Sequence, residues 1–134
     1  MKNIKASDLK LVKKVIKPKK VKEWKPLFLG MKEKDIYRID KTSNNYVFGY
    51  NKKGEEVYFE NSDGYWSKRE YKYGEEISYE DSDGYWHKRE YKNGKEVYYE
   101  NSNGYWSKRD DNNNMIEFKN GRYYLNGKEA ELKK

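Results

Sequence analysis

The sequence has no cysteine among its 134 residues, which excludes a disulfide framework and a thiolate metal site. It also has no long apolar run, and lysines interrupt every apolar stretch near the N-terminus. A transmembrane helix needs about 20 consecutive apolar residues, and a secretory signal needs an apolar core of its own. These absences favour a protein of the reducing cytoplasm that makes no membrane contact.

Apolar residues are also scarce overall, at 34% against 40% charged residues, so we do not expect a thick globular core. Aromatic residues compensate, because they make up 17% of the chain and include fifteen tyrosines and four tryptophans. Such large, flat side chains can bury much area even in a thin sheet. The length suits one domain, or one domain with an arm.

The dominant feature is a twenty-residue unit that occurs three times within residues 54–113, beginning at Gly54, Gly74 and Gly94. Nine of the twenty columns are identical in all three copies. A short fixed period is typical of stacked supersecondary units. In each copy, β-branched and aromatic runs alternate with Asn, Asp, Ser and Gly tips, a pattern that indicates β-hairpins. We therefore predict a mainly β protein, an antiparallel meander of tandem β-hairpin repeats.

The remaining sequence divides into flanking copies and an arm. Residues 35–134 are predicted to form the β-hairpin repeat domain, with degenerate caps on either side of the three full repeats. Residues 1–34 are predicted to form a basic N-terminal arm. Within this arm we expect a short helix from about Asp8 to Lys17 and a short buried strand at Leu27–Leu29.

The repeats also predict which side chains share a face of the sheet. We pair Glu60 with Tyr65 across the first tip of the repeat, and Lys72 with Glu75 across the second. Because side chains alternate with period two, the two pairings must agree on the faces, and they do. One predicted face carries Val57, Phe59, Trp66, Ile77, Tyr79, Trp86, Val97, Tyr99 and Trp106. The other carries Tyr58, Tyr65, Tyr71, Tyr85, Tyr91, Glu56, Glu76, Glu96, Arg69, Arg89 and Arg109.

Signals of catalysis or metal binding are weak. His87 is the only histidine, and it replaces Ser67 and Ser107 at one column of the repeat, so we interpret it as a surface variant. The turn Asp81–Gly84 resembles the start of a calcium loop, but aromatic residues follow it instead of further oxygen ligands. No glycine-rich phosphate loop occurs. We predict no catalytic residue, no metal site, no cofactor and no enzymatic activity.

The charge is unevenly distributed and suggests how the protein binds a partner. Residues 1–34 contain twelve lysines and three acidic residues, for a net charge of +9, whereas residues 54–113 have a net charge of −6. A lysine-rich arm binds RNA or DNA phosphates without sequence selectivity, and exposed tyrosine beside arginine is common at contact surfaces. The predicted partner-binding residues are Tyr65, Arg69, Tyr71, Tyr85, Arg89, Tyr91 and Arg109 in the repeats and Lys13, Lys14, Lys19 and Lys20 in the arm.

Short motifs within the repeats resemble known repeat proteins. The spacing in Tyr50–Gly54 and Tyr91–Gly94 is similar to YD (RHS-type) and MORN-type β-hairpin repeats. The runs Tyr98–Trp106 and Tyr123–Lys128 resemble those of small phage and prophage proteins. The resemblance covers roughly residues 43–134 and implies a phage-type inhibitor, such as an anti-CRISPR protein, that docks on a host nucleoprotein in the host cytoplasm.

Other interpretations of the sequence remain open. The chain could bind nucleic acid directly through its lysines and aromatic rings. A partial likeness to choline- and glucan-binding repeats suggests a carbohydrate module that uses Trp66, Trp86 and Trp106 as stacking platforms, although no secretory signal accompanies it. The open edges of a meander can also pair into a homodimer.

Overall fold

The computed structural model describes residues 3–10 and 23–133. These residues form an antiparallel sheet of eleven strands, in which each strand pairs with its neighbours in sequence. The predicted mainly β meander is therefore confirmed. The strands are β1 (Arg38–Lys41), β2 (Tyr46–Tyr50), β3 (Glu56–Asn61), β4 (Trp66–Lys72), β5 (Glu75–Asp81), β6 (Trp86–Lys92), β7 (Lys95–Asn101), β8 (Trp106–Arg109), β9 (Met115–Lys119), β10 (Arg122–Leu125) and β11 (Lys128–Ala130).

Helical structure in residues 3–10 and 23–133 is limited to two 3₁₀ turns, Ala6–Asp8 and Glu33–Asp35. The predicted helix does not begin at Asp8, because Leu9 has extended backbone angles, φ −106° and ψ 136°. Most of the remainder of that prediction lies outside the described residues. Nothing in the described parts of the chain is a helix of the length and apolarity needed to cross a membrane.

The first tip of the repeat is closed by an asparagine. The backbone N–H of Asn61 donates to the carbonyl of Tyr65 at 3.0 Å, and the Asn61 side-chain oxygen accepts the N–H groups of Asp63 and Tyr65. This Asx arrangement makes Asn61 and Tyr65 the closing residues. Glu60 consequently pairs with Trp66, so the predicted pairing of Glu60 with Tyr65 was wrong by one residue.

The second tip has the predicted pairing of Lys72 with Glu75. Its two central residues, Tyr73 and Gly74, have φ values of 52° and 78°, as a type I′ hairpin turn requires. Beyond the turn, the register shifts between Glu70 and Tyr71. This β-bulge inserts one extra residue into β5 and was not predicted.

The bulge recurs between Gly49 and Tyr50 and between Glu90 and Tyr91. In each case the extra residue is the β-branched apolar residue near the start of the bulged strand. These bulged residues are Val57, Ile77 and Val97. Since a one-residue slip exchanges the two faces of a strand, the tip and the bulge together decide which side chains lie together.

We name the two faces by their side chains. The arginine–tyrosine face carries Phe59, Ser67, Arg69, Tyr71, Tyr79, Asp81, His87, Arg89, Tyr91, Tyr99, Ser107 and Arg109. The tryptophan face carries Tyr58, Glu60, Trp66, Lys68, Ser78, Glu80, Trp86, Lys88, Tyr98, Glu100 and Trp106.

Four aromatic residues therefore lie on the face opposite to the predicted one. Phe59, Tyr79 and Tyr99 were expected beside the tryptophans but lie beside the arginines, and Tyr58 lies on the tryptophan face. The bulged Ile77 lines a groove that contains residues of both faces, Arg89 of one and Glu90 of the other.

The core of the described residues is small and lies near the N-terminal end of the sheet. Its buried hydrophobic residues are Ile36, Val47, Val57 and Tyr58. The segment Leu27–Leu29 is not the predicted buried strand, because Leu27 is 70% exposed and Leu29 is 68% exposed. Phe28 has a φ of 51°, which breaks the extended conformation and directs the chain across the tryptophan face.

Candidate macromolecule-binding face

A ladder of arginines and glutamates crosses the arginine–tyrosine face. The Arg69 guanidinium contacts Glu56 at 2.6 Å and Glu76 at 3.4 Å. Arg89 continues the ladder and contacts Glu76 at 3.7 Å and Glu96 at 3.2 Å. The predicted placement of these glutamates and arginines on one face is confirmed. Because each guanidinium has carboxylate partners on two strands, the charges of the ladder largely compensate one another.

Each of these arginines also lies over a tyrosine ring. The Arg69 guanidinium is 5.1 Å from the centre of the Tyr79 ring, and that of Arg89 is 5.2 Å from the centre of the Tyr99 ring. Such cation–π contacts are favourable. They hold the planar guanidinium group between a ring and two carboxylates, so the side chain is ordered before any partner arrives.

Tyrosine hydroxyls form a second network beside the ladder. The hydroxyls of Tyr65 and Tyr79 are 3.0 Å apart, and Tyr79 also donates to Asp81 at 3.1 Å. Burial raises the pKa of Tyr79, and its hydrogen bonds to Tyr65 and Asp81 raise it further. The next repeat has the same contact, 3.2 Å between the hydroxyls of Tyr85 and Tyr99.

This second contact also affects ionisation, because the hydrogen bond to Tyr99 is the main cause that raises the pKa of Tyr85. In the third repeat, the hydroxyl of Tyr105 donates to Glu117 at 2.6 Å. Burial and that hydrogen bond raise the pKa of Tyr105. Tyr79, Tyr85 and Tyr105 are therefore neutral, oriented hydrogen-bonding groups at ordinary pH.

His87 lies in the middle of this face, and its interpretation as a surface variant was wrong. Its ring stacks on Tyr79 at 5.2 Å and on Tyr99 at 5.8 Å, and its Nε2 atom lies 2.6 Å from Glu76. Only 13% of the side chain is exposed. The alternation of His87 with Arg89 along one strand was the signal that could have placed it here.

The structure brings six of the predicted partner-binding residues together on the arginine–tyrosine face. They are Tyr65, Arg69, Tyr71, Tyr85, Arg89 and Tyr91, and all six are half-buried. Arg109 lies at the end of the same face but is exposed, and its guanidinium donates to the side chain of Asn113 at 3.4 Å. Lys13, Lys14, Lys19 and Lys20 lie outside the described residues. Binding by any of these residues stays a prediction.

The tryptophan face is organised differently, because the segment Leu27–Gly30 lies across its first repeat. The backbone N–H groups of Leu27 and Phe28 both donate to the Glu60 carboxylate, at 2.7 and 2.8 Å. The hydroxyl of Tyr58 donates to the same carboxylate at 2.7 Å. Burial raises the pKa of Tyr58, and its bond to Glu60 adds to the shift. Glu60 is only 4% exposed, so it acts as a buried clamp for the segment.

Two aromatic contacts complete this arrangement. The Phe28 ring stacks on the Tyr58 ring with 5.8 Å between centroids. Gly30 lies so close to Trp66 that a Cβ atom at this position would overlap Cε3 of the indole. A glycine is therefore needed where the segment passes over the tryptophan.

The tryptophans of the repeats have unequal surroundings. Trp66 lies beneath Gly30, and Trp106 stacks on Phe118 at 5.9 Å. The amine of Lys88 lies 5.5 Å from the centre of the Trp86 ring. The three rings therefore differ in what contacts them, and their use as carbohydrate-stacking platforms stays a prediction.

The edges of the sheet are β1 and β11. Both are short, and most of their residues are charged, including Arg38, Asp40 and Lys128. Short, charged edge strands discourage pairing with another sheet. The homodimer through sheet edges stays a prediction.

Within residues 3–10 and 23–133, no group of three or more His, Asp and Glu side chains is arranged to hold a metal ion. Comparison with known proteins finds no family model, no curated protein and no solved structure that matches this chain.

Proposed function

We propose that this chain is a non-enzymatic binding protein that docks on another protein through its arginine–tyrosine face. The observation that carries the proposal is the ordering of Arg69 and Arg89 between carboxylates and tyrosine rings. Tyrosine and arginine are enriched among the residues that dominate binding energy. Side chains that are ordered in the free protein lose less entropy on binding.

The charge of the face favours a protein over a nucleic acid as the docking partner. Glu56, Glu76 and Glu96 alternate with the arginines, and Asp81 and Glu117 on the same face accept hydrogen bonds from Tyr79 and Tyr105. Nucleic-acid affinity depends on neutralising phosphates. On this face a phosphate backbone would contact carboxylates as often as cations, so the carboxylates would offset the attraction of the arginines. A protein surface with charges of both signs can be complementary to such a ladder.

The finer proposal is that the partner is a host nucleoprotein, such as a CRISPR–Cas effector, that the chain blocks as a phage-type inhibitor. The likeness of the repeats to phage and prophage proteins supports it. The charge distribution supports it too, since residues 1–34 have a net charge of +9. The basic arm would contact the RNA or DNA of the nucleoprotein while the face contacts its protein surface.

A second candidate function is direct nucleic-acid binding through the same basic arm. The arm supports this role by its lysine content alone, without the arginine–tyrosine face. The two candidates therefore differ in whether substitutions on the face matter and in how steeply affinity falls with salt.

Adjacent residues of β6 provide a matched pair of variants, because Arg89 and Lys88 lie on opposite faces. Wild-type, Arg89→Ala and Lys88→Ala chains are used as bait in lysate of a candidate bacterial host, with and without nuclease. The affinity of each purified chain for any captured partner is then measured by titration. We expect capture of a defence or nucleic-acid enzyme, with affinity lowered about 30-fold by Arg89→Ala, the effect of losing a contact of about 2 kcal/mol. Lys88→Ala should bind as wild type does.

Three results contradict the proposal. One is that no defence or nucleic-acid enzyme is captured. Another is that Lys88→Ala and Arg89→Ala weaken binding equally, which would indicate a general loss of structure. The third is a partner that nuclease removes and that neither variant affects, which would favour direct nucleic-acid binding instead.

A further inference from the structure

The first repeat shows what the tryptophan face can hold. Tyr58, Glu60 and Trp66 together bind the segment Leu27–Gly30 of the same chain. Leu27 and Leu29 are exposed, so the segment is recognised by two backbone N–H groups, one aromatic ring and one glycine. The required ligand is a short peptide in which phenylalanine, with a positive φ as in Phe28, is followed two residues later by glycine.

The third repeat carries the same three side chains at the same columns. They are Tyr98, Glu100 and Trp106. The hydroxyl of Tyr98 donates to Glu100 at 3.0 Å, as that of Tyr58 does to Glu60 at 2.7 Å. The tyrosine–carboxylate part of the site is therefore built in the third repeat before any peptide is present.

The second repeat lacks this combination. Ser78 stands in place of the tyrosine, so no ring is available for stacking. Its carboxylate, Glu80, forms an ion pair with Lys68 at 3.2 Å. The second repeat is therefore a natural control within the same molecule.

The Glu100 carboxylate retains capacity for the two backbone donors that the ligand would bring. Lys88 lies opposite Glu100 in the sheet register, but its amine lies over the Trp86 ring, 5.5 Å from the centre. An ionised carboxylate accepts about four hydrogen bonds. Among the described residues, the hydrogen bond that Glu100 accepts comes from Tyr98. Both residues are half-buried and so remain accessible.

We propose that the third repeat is a peptide-binding site that takes a Phe-x-Gly segment of a partner protein. Glu100 would accept two consecutive backbone N–H groups, the Tyr98 ring would stack on the phenylalanine, and the glycine would pass over Trp106. The occupant comes from another molecule, because the chain's own Leu27–Gly30 is seated on the first repeat. The site lies on the tryptophan face and does not depend on the arginine–tyrosine face.

The probe for this site is a synthetic peptide of residues 24–33, WKPLFLGMKE. It is titrated into the full-length ¹⁵N-labelled chain, and backbone amide and indole shifts are followed by NMR. We expect saturable shifts centred on Tyr98, Glu100 and the indole of Trp106. Glu100→Gln should weaken binding at least tenfold, and Glu80→Gln should leave it unchanged. A peptide with alanine in place of its glycine should not bind.

Several outcomes would overturn the inference. Shifts confined to Tyr58 and Glu60 would show that the peptide only exchanges with the chain's own segment. Equal weakening by Glu80→Gln and Glu100→Gln, with both variants retaining the wild-type amide spectrum, would remove the special role of the third repeat. Shifts at Tyr98 that grow with protein concentration alone would assign the site to a second copy of this chain. The absence of any shift would reject a peptide site altogether.

Discussion

The replacement Glu60→Gln tests whether one buried carboxylate holds the segment Leu27–Gly30 on the sheet. Glu60 accepts the N–H groups of Leu27 and Phe28 and the hydroxyl of Tyr58, at 2.7 to 2.8 Å. Glutamine has the same shape but offers only one carbonyl oxygen, and its amide group would face a backbone donor. The variant therefore leaves a buried donor without an acceptor.

The magnitude follows from the burial of the site. A hydrogen bond to a charged group contributes about 1.5–3 kcal/mol, and a buried donor left unsatisfied costs about 1–3 kcal/mol. Glu60 is 4% exposed, so solvent does little to screen these terms. We expect Glu60→Gln to destabilise the docked segment by about 3 kcal/mol. This corresponds to an increase of roughly 100-fold in its opening equilibrium, since 1.4 kcal/mol is a factor of ten.

Amide hydrogen exchange measures this opening directly. In the variant, the N–H groups of Leu27 and Phe28 should exchange about 100-fold faster than in wild type. The amides of the third repeat should be almost unaffected, because stacked repeats interact mainly with their neighbours. The change is therefore local and separable from a general loss of stability.

Glu80→Gln is the matched control, because Glu80 occupies the same column of the second repeat. Its ion pair with Lys68 is partly exposed, and such pairs contribute about 0.2–1 kcal/mol. Exchange at Leu27 and Phe28 should be unchanged in this variant. Equal exchange rates at these amides in wild type and Glu60→Gln would refute the clamp.

Two further predictions concern the hairpin tips. Tyr73 has a φ of 52° and is 87% exposed; because asparagine tolerates this backbone region better than tyrosine, Tyr73→Asn should stabilise the protein by about 0.5–1 kcal/mol in urea denaturation. The reciprocal Asn93→Tyr, at a φ of 54°, should destabilise it, and a midpoint lowered by Tyr73→Asn would contradict the reasoning. Hydrogen bonds from the backbone and side chain of Asn114 lower the pKa of Asp110 below its ordinary value of 3.8, so its contribution to stability is present above that value and is lost as pH falls through the folded-state pKa. The test is to measure urea midpoints of wild type and Asp110→Asn between pH 2 and 6. The difference in stability between them should shrink as the pH falls. A difference that stays constant or grows in acid would exclude this linkage.

Much of the fold follows from local chemistry and could be predicted from the repeat alone. Asn93–Gly94, Asn120–Gly121 and Asn126–Gly127 specify two-residue turns because both residues tolerate positive φ. The alternation of Arg69 with Tyr71, and of Arg89 with Tyr91, places these side chains together wherever the strand is regular. The strand order of the meander and the grouping of the predicted binding residues on one face follow from these two rules.

The register required the tertiary structure. Whether Glu60 pairs with Tyr65 or with Trp66 depends on hydrogen bonds between the Asn61 side chain and the backbone of the tip. The two pairings satisfy the strand pattern equally well. The bulge at Ile77 is a further change of one residue, and together these shifts place Tyr79 beside Arg69.

Sequence alone therefore determined the period, the hairpins and the strand order, because each depends on neighbouring residues. The tertiary structure decided that the half-buried His87 stacks between tyrosines and that Phe28 docks on the tryptophan face. The clamp joins Phe28 to Glu60 across 32 positions of the chain, and no local pattern encodes such a contact. A buried carboxylate is costly unless it accepts enough hydrogen bonds. The clamp is stable because the backbone N–H groups of the arm supply the donors that Glu60 needs.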